Sequence, residues 1–348
     1  MLRRRRLAPS ALRALLLTIG LASVLAACSP GPQTPAPEGA GTMYLFDNDG
    51  VHAYTDVGAV GGDRAPDRSF TLAGIAAYVY DMTMNGAADV AFLTIAASAG
   101  DLVLRLEDVS TRTGVVSDYV VFDDLGRGWP SSVAYDPGTD ELYVWFGGAL
   151  HVYENATTAA AGAAPARVMA GASLGSFGTS DDVRIVLDTA ADRLFVSRPA
   201  GQVAVFDDAS TLDGDRAPDR VVTISTPNPR GWYVWGLAYD TGRDLLYVAS
   251  QNTRQAIFVI ADASTADGAV PAVRTIGGSV HPVYEPSMIE FDDARDRLLV
   301  VRSEAGYEGF SLFLEASTVD GDVAPDQVIA GPNVPVVYPY GGYFDPTE

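Results

Sequence analysis

The sequence predicts an all-β fold: a six-bladed β-propeller of four-stranded blades, its ring closed by strands from the N- and C-termini. Three observations predict it. A segment recurs six times, β-type runs alternate with turn residues inside each recurrence, and the chain ends carry complementary parts of one repeat. The clearest copies are Val205-Phe206-Asp207-Asp208-Ala209-Ser210-Thr211, Val259-Ile260-Ala261-Asp262-Ala263-Ser264-Thr265 and Leu312-Phe313-Leu314-Glu315-Ala316-Ser317-Thr318. Weaker copies end at Val57, Val109 and Ala156, so equivalent positions fall at 57, 109, 156, 209, 263 and 316, spaced by 52, 47, 53, 54 and 53 residues.

At the N-terminus, residues 1–27 have the layout of a secretory signal peptide. Arg3 to Arg6 form a basic start, an apolar run extends from Ala14 to Ala27, and small residues end it. Cys28 is the only cysteine, which excludes an internal disulfide. Leu25-Ala26-Ala27-Cys28 resembles the lipobox of bacterial lipoproteins. That resemblance implies cleavage after Ala27 and lipid attachment at Cys28, so that the protein meets the membrane through its N-terminal lipid alone. The expected location is the cell envelope, facing outside the cytoplasm. With Ser29 after the cysteine, it would be the outer membrane in a bacterium that has one. Residues 28–41 read as a tether: Pro30, Pro32, Pro35 and Pro37 interleave with three glycines and no apolar periodicity. Extended at about 3.1 Å per residue, such a tether reaches on the order of 40 Å.

Residues 42–348 are the expected propeller. One unit reads as strand A at 219–224, strand B at 236–239, strand C at 245–248 and strand D at 256–260, rich in Val, Ile, Tyr and Phe. The B-to-C turn recurs at 136–140, 188–192, 240–244 and 292–296, each bounded by aspartates whose short side chains can bond turn amides. Met43-Tyr44-Leu45-Phe46 reads as a C strand, Val51-His52-Ala53-Tyr54 as a D strand and Gly342-Tyr343-Phe344 as a B strand. Sewing the two halves into one blade closes the ring and removes open edges. The strands Leu142-Tyr143-Val144 and Leu246-Tyr247-Val248 make the repeats similar to those of the NHL and YVTN propeller families. That resemblance implies blades and leaves function open, since such families include enzymes and binding scaffolds.

Composition narrows the function classes. The chain has no lysine, and its 23 arginines face 44 acids for a net charge of -21. Removing the leader with its five arginines leaves a balance near -26. So acidic a surface repels phosphate backbones and anionic headgroups, which argues against nucleic acid and against electrostatic membrane binding.

No catalytic residues emerge. Gly171-Ala172-Ser173-Leu174-Gly175 matches the G-x-S-x-G string, but it falls between an A and a B strand rather than between a strand and a helix. His52 and His151 share the D-strand phase of Leu104, Ala204, Phe258 and Ser311 and are expected to be outer-strand residues. Asp213-Gly214-Asp215 and Asp320-Gly321-Asp322 cluster oxygens suited to calcium but lack a complete loop motif. No metal ligands are assigned and no cofactor is expected, with calcium the one candidate.

Alternating strand direction sends the D-to-A and B-to-C connections to one face and the A-to-B and C-to-D loops to the other. The first face holds nearly all the repeated aspartates. The second is irregular, with Arg127, Trp129, Arg230, Trp232, His281, Tyr284, Tyr338 and Tyr340. Such residues dominate binding energies when exposed, and they would be core if they packed into the channel mouth. The expected function is a non-catalytic, lipid-anchored envelope scaffold presenting this face to a protein or glycan. The alternative is a calcium-dependent hydrolase of the lactonase or gluconolactonase type.

Overall fold

The computed structural model describes residues 41–346 except 49, 59–60, 76, 98–99, 127, 129, 175–182, 226–232, 252–254 and 337. The expected signal peptide, Cys28 and nearly all of the tether lie outside the described residues, as do Arg127, Trp129, Arg230 and Trp232.

The described residues build six sheets, each with four antiparallel strands. The fifth blade is representative. Tyr233–Asp240 pairs with Leu245–Gln251, which pairs with Ala256–Ala261, which pairs with Arg274–Ile276. Within it Ala256–Ala261 is buried at five consecutive residues, because both faces of the sheet pack against neighbouring blades. This explains near-continuous apolar runs where a half-exposed sheet would alternate. Apolar clusters accordingly form between blades, as where Ala238, Tyr247 and Ile257 meet Ile289, Val300 and Phe313. The inner strands, among them Ala77–Asn85, Pro130–Asp136, Ile185–Asp188 and Pro286–Asp292, touch their neighbours in cyclic order around a channel.

The blade boundary differs from the sequence unit by one strand. Strand A does not join the B strand that follows it in sequence. It pairs with the preceding D strand as the outermost strand of that blade, as Gln327–Ala330 does with Gly309–Leu314. The closing blade is therefore not two halves of two strands. Gly341–Asp345 from the C-terminus pairs with Thr42–Phe46, and Val51–Tyr54 and Arg68–Leu72 complete the sheet. A repeat period fixes spacing and leaves its phase free, and the phase is set here by pairing across sequence-distant edges.

Two aspartate devices account for most of the acidic repeats. In the first, the last residue of the B-to-C turn adopts a left-handed backbone, at Asp89, Asp140, Asp192, Asp244 and Asp296, with φ between 51° and 56°. Aspartate tolerates that conformation better than most residues because its side chain finds local donors. Here it accepts the amide and hydroxyl of Ser110, Thr157, Ser210, Ser264 or Ser317 beyond strand D. The residue just before each of these, at 109, 156, 209, 263 and 316, is fully buried, as is Val57 in the closing blade.

The second device joins blades. The D-to-A connection of one blade lies along the outer strand of the blade before it, where Gly214 and Gly321 bridge to Met169 and Ile276 in parallel register. Asp213 accepts the Val168 amide at 3.1 Å and Asp320 the Thr275 amide at 2.9 Å. Gly114–Val116 and Gly268–Pro271 extend the same contact into true parallel strands beside Arg68–Leu72 and Arg220–Ser225. Outer edges that would otherwise offer unpaired amides to another chain are thereby covered.

Candidate functional site

Local geometry places aromatic rings where the A-to-B and C-to-D loops emerge. Tyr78, Tyr307 and Tyr338 are 41 %, 43 % and 54 % exposed, and all three lie on this face. Tyr340 packs at the channel mouth, its ring 5.2 Å from Tyr78 and 5.6 Å from Tyr80. Tyr284 stacks on Tyr307 at 4.1 Å between ring centroids. Tyr284, Glu285 and Tyr338 hold φ of 52°, 50° and 52°. Bulky residues rarely adopt that region, and such outliers gather at binding sites. His281 is oriented from the next connection: its amide donates to Asp322 at 2.7 Å, and its Nδ1 lies 3.4 Å from the same carboxylate. The Val280 and His281 amides hold Asp322 below the ordinary carboxylate range.

Of the residues expected on this face, the structure places Tyr340 at the channel mouth, with Tyr338 exposed two residues before it, and brings His281 and Tyr284 together at the junction of the fifth and sixth blades. Tyr338 is the open one, while Tyr284 and Tyr340 are partly covered. His52 and His151 lie on third strands, one in from the outer edge rather than on the outermost strand expected, because strand A closes each blade on the outside. A hydrogen bond joins His52 Nδ1 to Ser69 Oγ at 2.9 Å, and burial pushes the His151 imidazole below its ordinary pKa. Ser173 sits in a short 3-10 turn, its amide bonded to Asp215, and does not follow a strand into a helix.

Sequence reasoning missed Arg184. It precedes the inner strand Ile185–Asp188, is 4 % exposed, and turns its guanidinium across the channel. It donates to the carbonyls of Ser131 at 2.6 Å, Trp235 at 2.9 Å, Ser287 at 3.3 Å and Tyr340 at 3.4 Å, which come from four other blades. One side chain thus closes the channel beneath the aromatic face and ties the ring across its centre. Its only sequence signal is an arginine directly before an apolar inner strand.

Along the channel from Arg184 lies a cavity of about 190 Å³ lined by Asp81, Glu290, Tyr343 and apolar inner-strand residues. Asp81 accepts the Met82 and Val133 amides and the Ser132 hydroxyl, and burial raises its pKa despite the charge of Arg184. Glu290 is pushed up to about 8, first by burial and then by Asp81. Calcium takes six to eight oxygen ligands. The described channel offers two carboxylates, one of them already engaged by three donors, beside a guanidinium, and that set does not fit such an ion. Asp213, Asp215, Asp320 and Asp322, the calcium candidates of the sequence, instead direct oxygens at amides of the preceding blade or the connection that follows it.

Comparison with solved structures fits this geometry. A crystal structure of a nidogen/laminin complex contains a chain that superposes with a TM-score of 0.55 at 11 % identity, covering 87 % of this chain and 98 % of that one. The chain is a six-bladed β-propeller. The β-propeller domain of Cps50 (Swd1) from Myceliophteria thermophila is similar to it at a TM-score of 0.48 and 13 % identity, covering 75 % of this chain and 76 % of that one. No family model and no curated protein matches this chain.

Proposed function

We propose that this propeller is a non-catalytic binding scaffold, held in the cell envelope by a lipid on Cys28, that presents its aromatic face to a protein or glycan. The observation that carries the reading is the division between faces. Tyr78, Tyr307 and Tyr338, the most exposed tyrosines among the described residues, stand on one, while repeated aspartates of the other, among them Asp192, Asp244 and Asp320, are taken up by turn and inter-blade hydrogen bonds. Tyrosine gives large contact area at low entropic cost, and the plug at Arg184 turns the channel mouth into a floor rather than a passage. The Leu25-Ala26-Ala27-Cys28 segment supports lipidation.

The test pairs one binding and one folding readout. In Tyr338→Ala, partner affinity should fall by about 2 kcal/mol while the melting temperature stays within a few degrees. A large stability loss with unchanged affinity removes Tyr338 from the face. For the anchor, mass spectrometry of membrane-extracted protein should show a diacylglyceryl-modified Cys28 at the N-terminus, and an unmodified cysteine sinks that part.

A hydrolase is the second reading, and Glu290 is what favours it, since a carboxyl with pKa near 8 can donate a proton at neutral pH. Hydrolytic activity lost in Glu290→Gln would move the function into the channel.

A further inference from the structure

Arg302 ends the strand Arg297–Arg302, is 4 % exposed, and its Nε is buried without a hydrogen-bond partner. Its guanidinium lies 4.6 Å from the centre of the Tyr284 ring and 5.7 Å from that of Tyr307. Its near neighbours are those two rings, with Glu304 and Glu308 at longer electrostatic range. A buried guanidinium whose Nε has no acceptor is costly unless an anion joins it.

Beside Arg302 is a cavity of about 280 Å³, mostly apolar, between the fifth and sixth blades, roofed by His281, Pro282 and Tyr284. Its origin is visible in the register. Val300, Ser311 and Val328 form one cross-strand row of the sixth blade, as Val248, Phe258 and Thr275 do in the fifth and Leu93, Leu104 and Val121 in the second. Ser311 therefore stands where the fifth blade places Phe258 and the second Leu104, and where the fourth has the small Ala204. The missing side chain opens the space, and the arginine two residues along from Val300 faces into it.

We propose that this cavity binds a small monocarboxylate with a flat apolar body, its carboxylate on Arg302 and its body against Tyr284, Phe313 and Val328. A guanidinium is weakly hydrated and takes carboxylates in a planar fork. The surroundings favour one negative charge over several. Glu304 and Glu308 lie within electrostatic range of Arg302, Glu304 accepting from Gln255 and Glu308 from the Gly306 amide, while His281 is committed to Asp322. This inference does not depend on the aromatic face docking a partner.

The probes are 3-phenylpropionate, its amide, inorganic phosphate, and a short peptide ending in a free phenylalanine carboxylate, titrated calorimetrically into the full chain. The acid should bind saturably, at least about tenfold tighter than the amide and than phosphate. Arg302→Met, which keeps the apolar stem, should lose at least tenfold in acid affinity. Ser311→Leu, which keeps the arginine and installs the residue of the second blade, should abolish binding without unfolding the protein. Equal affinity for acid and amide, preference for phosphate, no saturable binding, or unchanged affinity in both variants overturns the proposal. A peptide that binds tighter than the acid overturns the small-molecule assignment.

Discussion

Asp244 shows how much one repeated residue carries. Its carboxylate accepts the Ser264 amide at 2.8 Å, the Ser264 hydroxyl at 2.7 Å and the Tyr239 hydroxyl at 2.8 Å, from a backbone at φ 55°. Asp244→Ala should lower stability by about 2–4 kcal/mol, and Asp244→Gly by roughly 1 kcal/mol less, because glycine relieves the left-handed strain while losing the same bonds. Denaturant titration of both variants checks this, and equal losses would refute the backbone contribution. Glu290 carries a charge effect of opposite kind. Its folded pKa of about 8 lies above the unfolded carboxylate value, so the folded state holds a proton that the unfolded chain has released. Stability from this group is therefore full below about pH 4.5 and declines as pH rises towards 8. Glu290→Gln should match the wild type at pH 4 and exceed it on the order of 2 kcal/mol at pH 9, discounting for water in the channel. A parallel pH profile in both proteins would contradict the burial of that carboxyl. The aspartate turns were legible in the sequence because each is a local pattern of adjacent residues. Arg184 and Arg302 were not, because the acceptors of one come from four blades and the pocket of the other depends on a residue missing from a cross-strand row.

Among elements, the D-to-A connection has the larger role than its place in the sequence suggests. It turns the chain within its own blade and covers the edge of the blade before it, with Asp322 also pinning the loop that carries His281 and Tyr284. Asp322→Ala should therefore raise amide hydrogen exchange in residues 277–285 while global stability falls by only about 1–2 kcal/mol. Unchanged exchange there would show that the loop is held by other contacts. The repeat spacing and strand identities were readable because β-runs and turn residues are short-range signals. The blade boundary was not, since nothing local in Gln327–Ala330 says whether it pairs backwards to Gly309–Leu314 or forwards to the next inner strand.

For the whole molecule, one C-terminal strand completes the ring. Gly341–Asp345 pairs with Thr42–Phe46, and the neighbouring Tyr340 carbonyl receives Arg184. Deleting residues 339–348 should leave an open inner edge and an under-bonded guanidinium, giving aggregation or a much lower melting temperature; unchanged melting would refute closure by that strand. The ring in turn separates a face of folded-in carboxylates from a face of exposed tyrosines, and that separation can be read in living cells. A photo-crosslinking residue at Tyr338, 54 % exposed on the aromatic face, should form discrete adducts with a partner, whereas the same residue at Val115, 75 % exposed on the outer edge of the ring beside Thr71, should not. Adducts from Val115 alone, or equally from both positions, would contradict a binding role for the aromatic face.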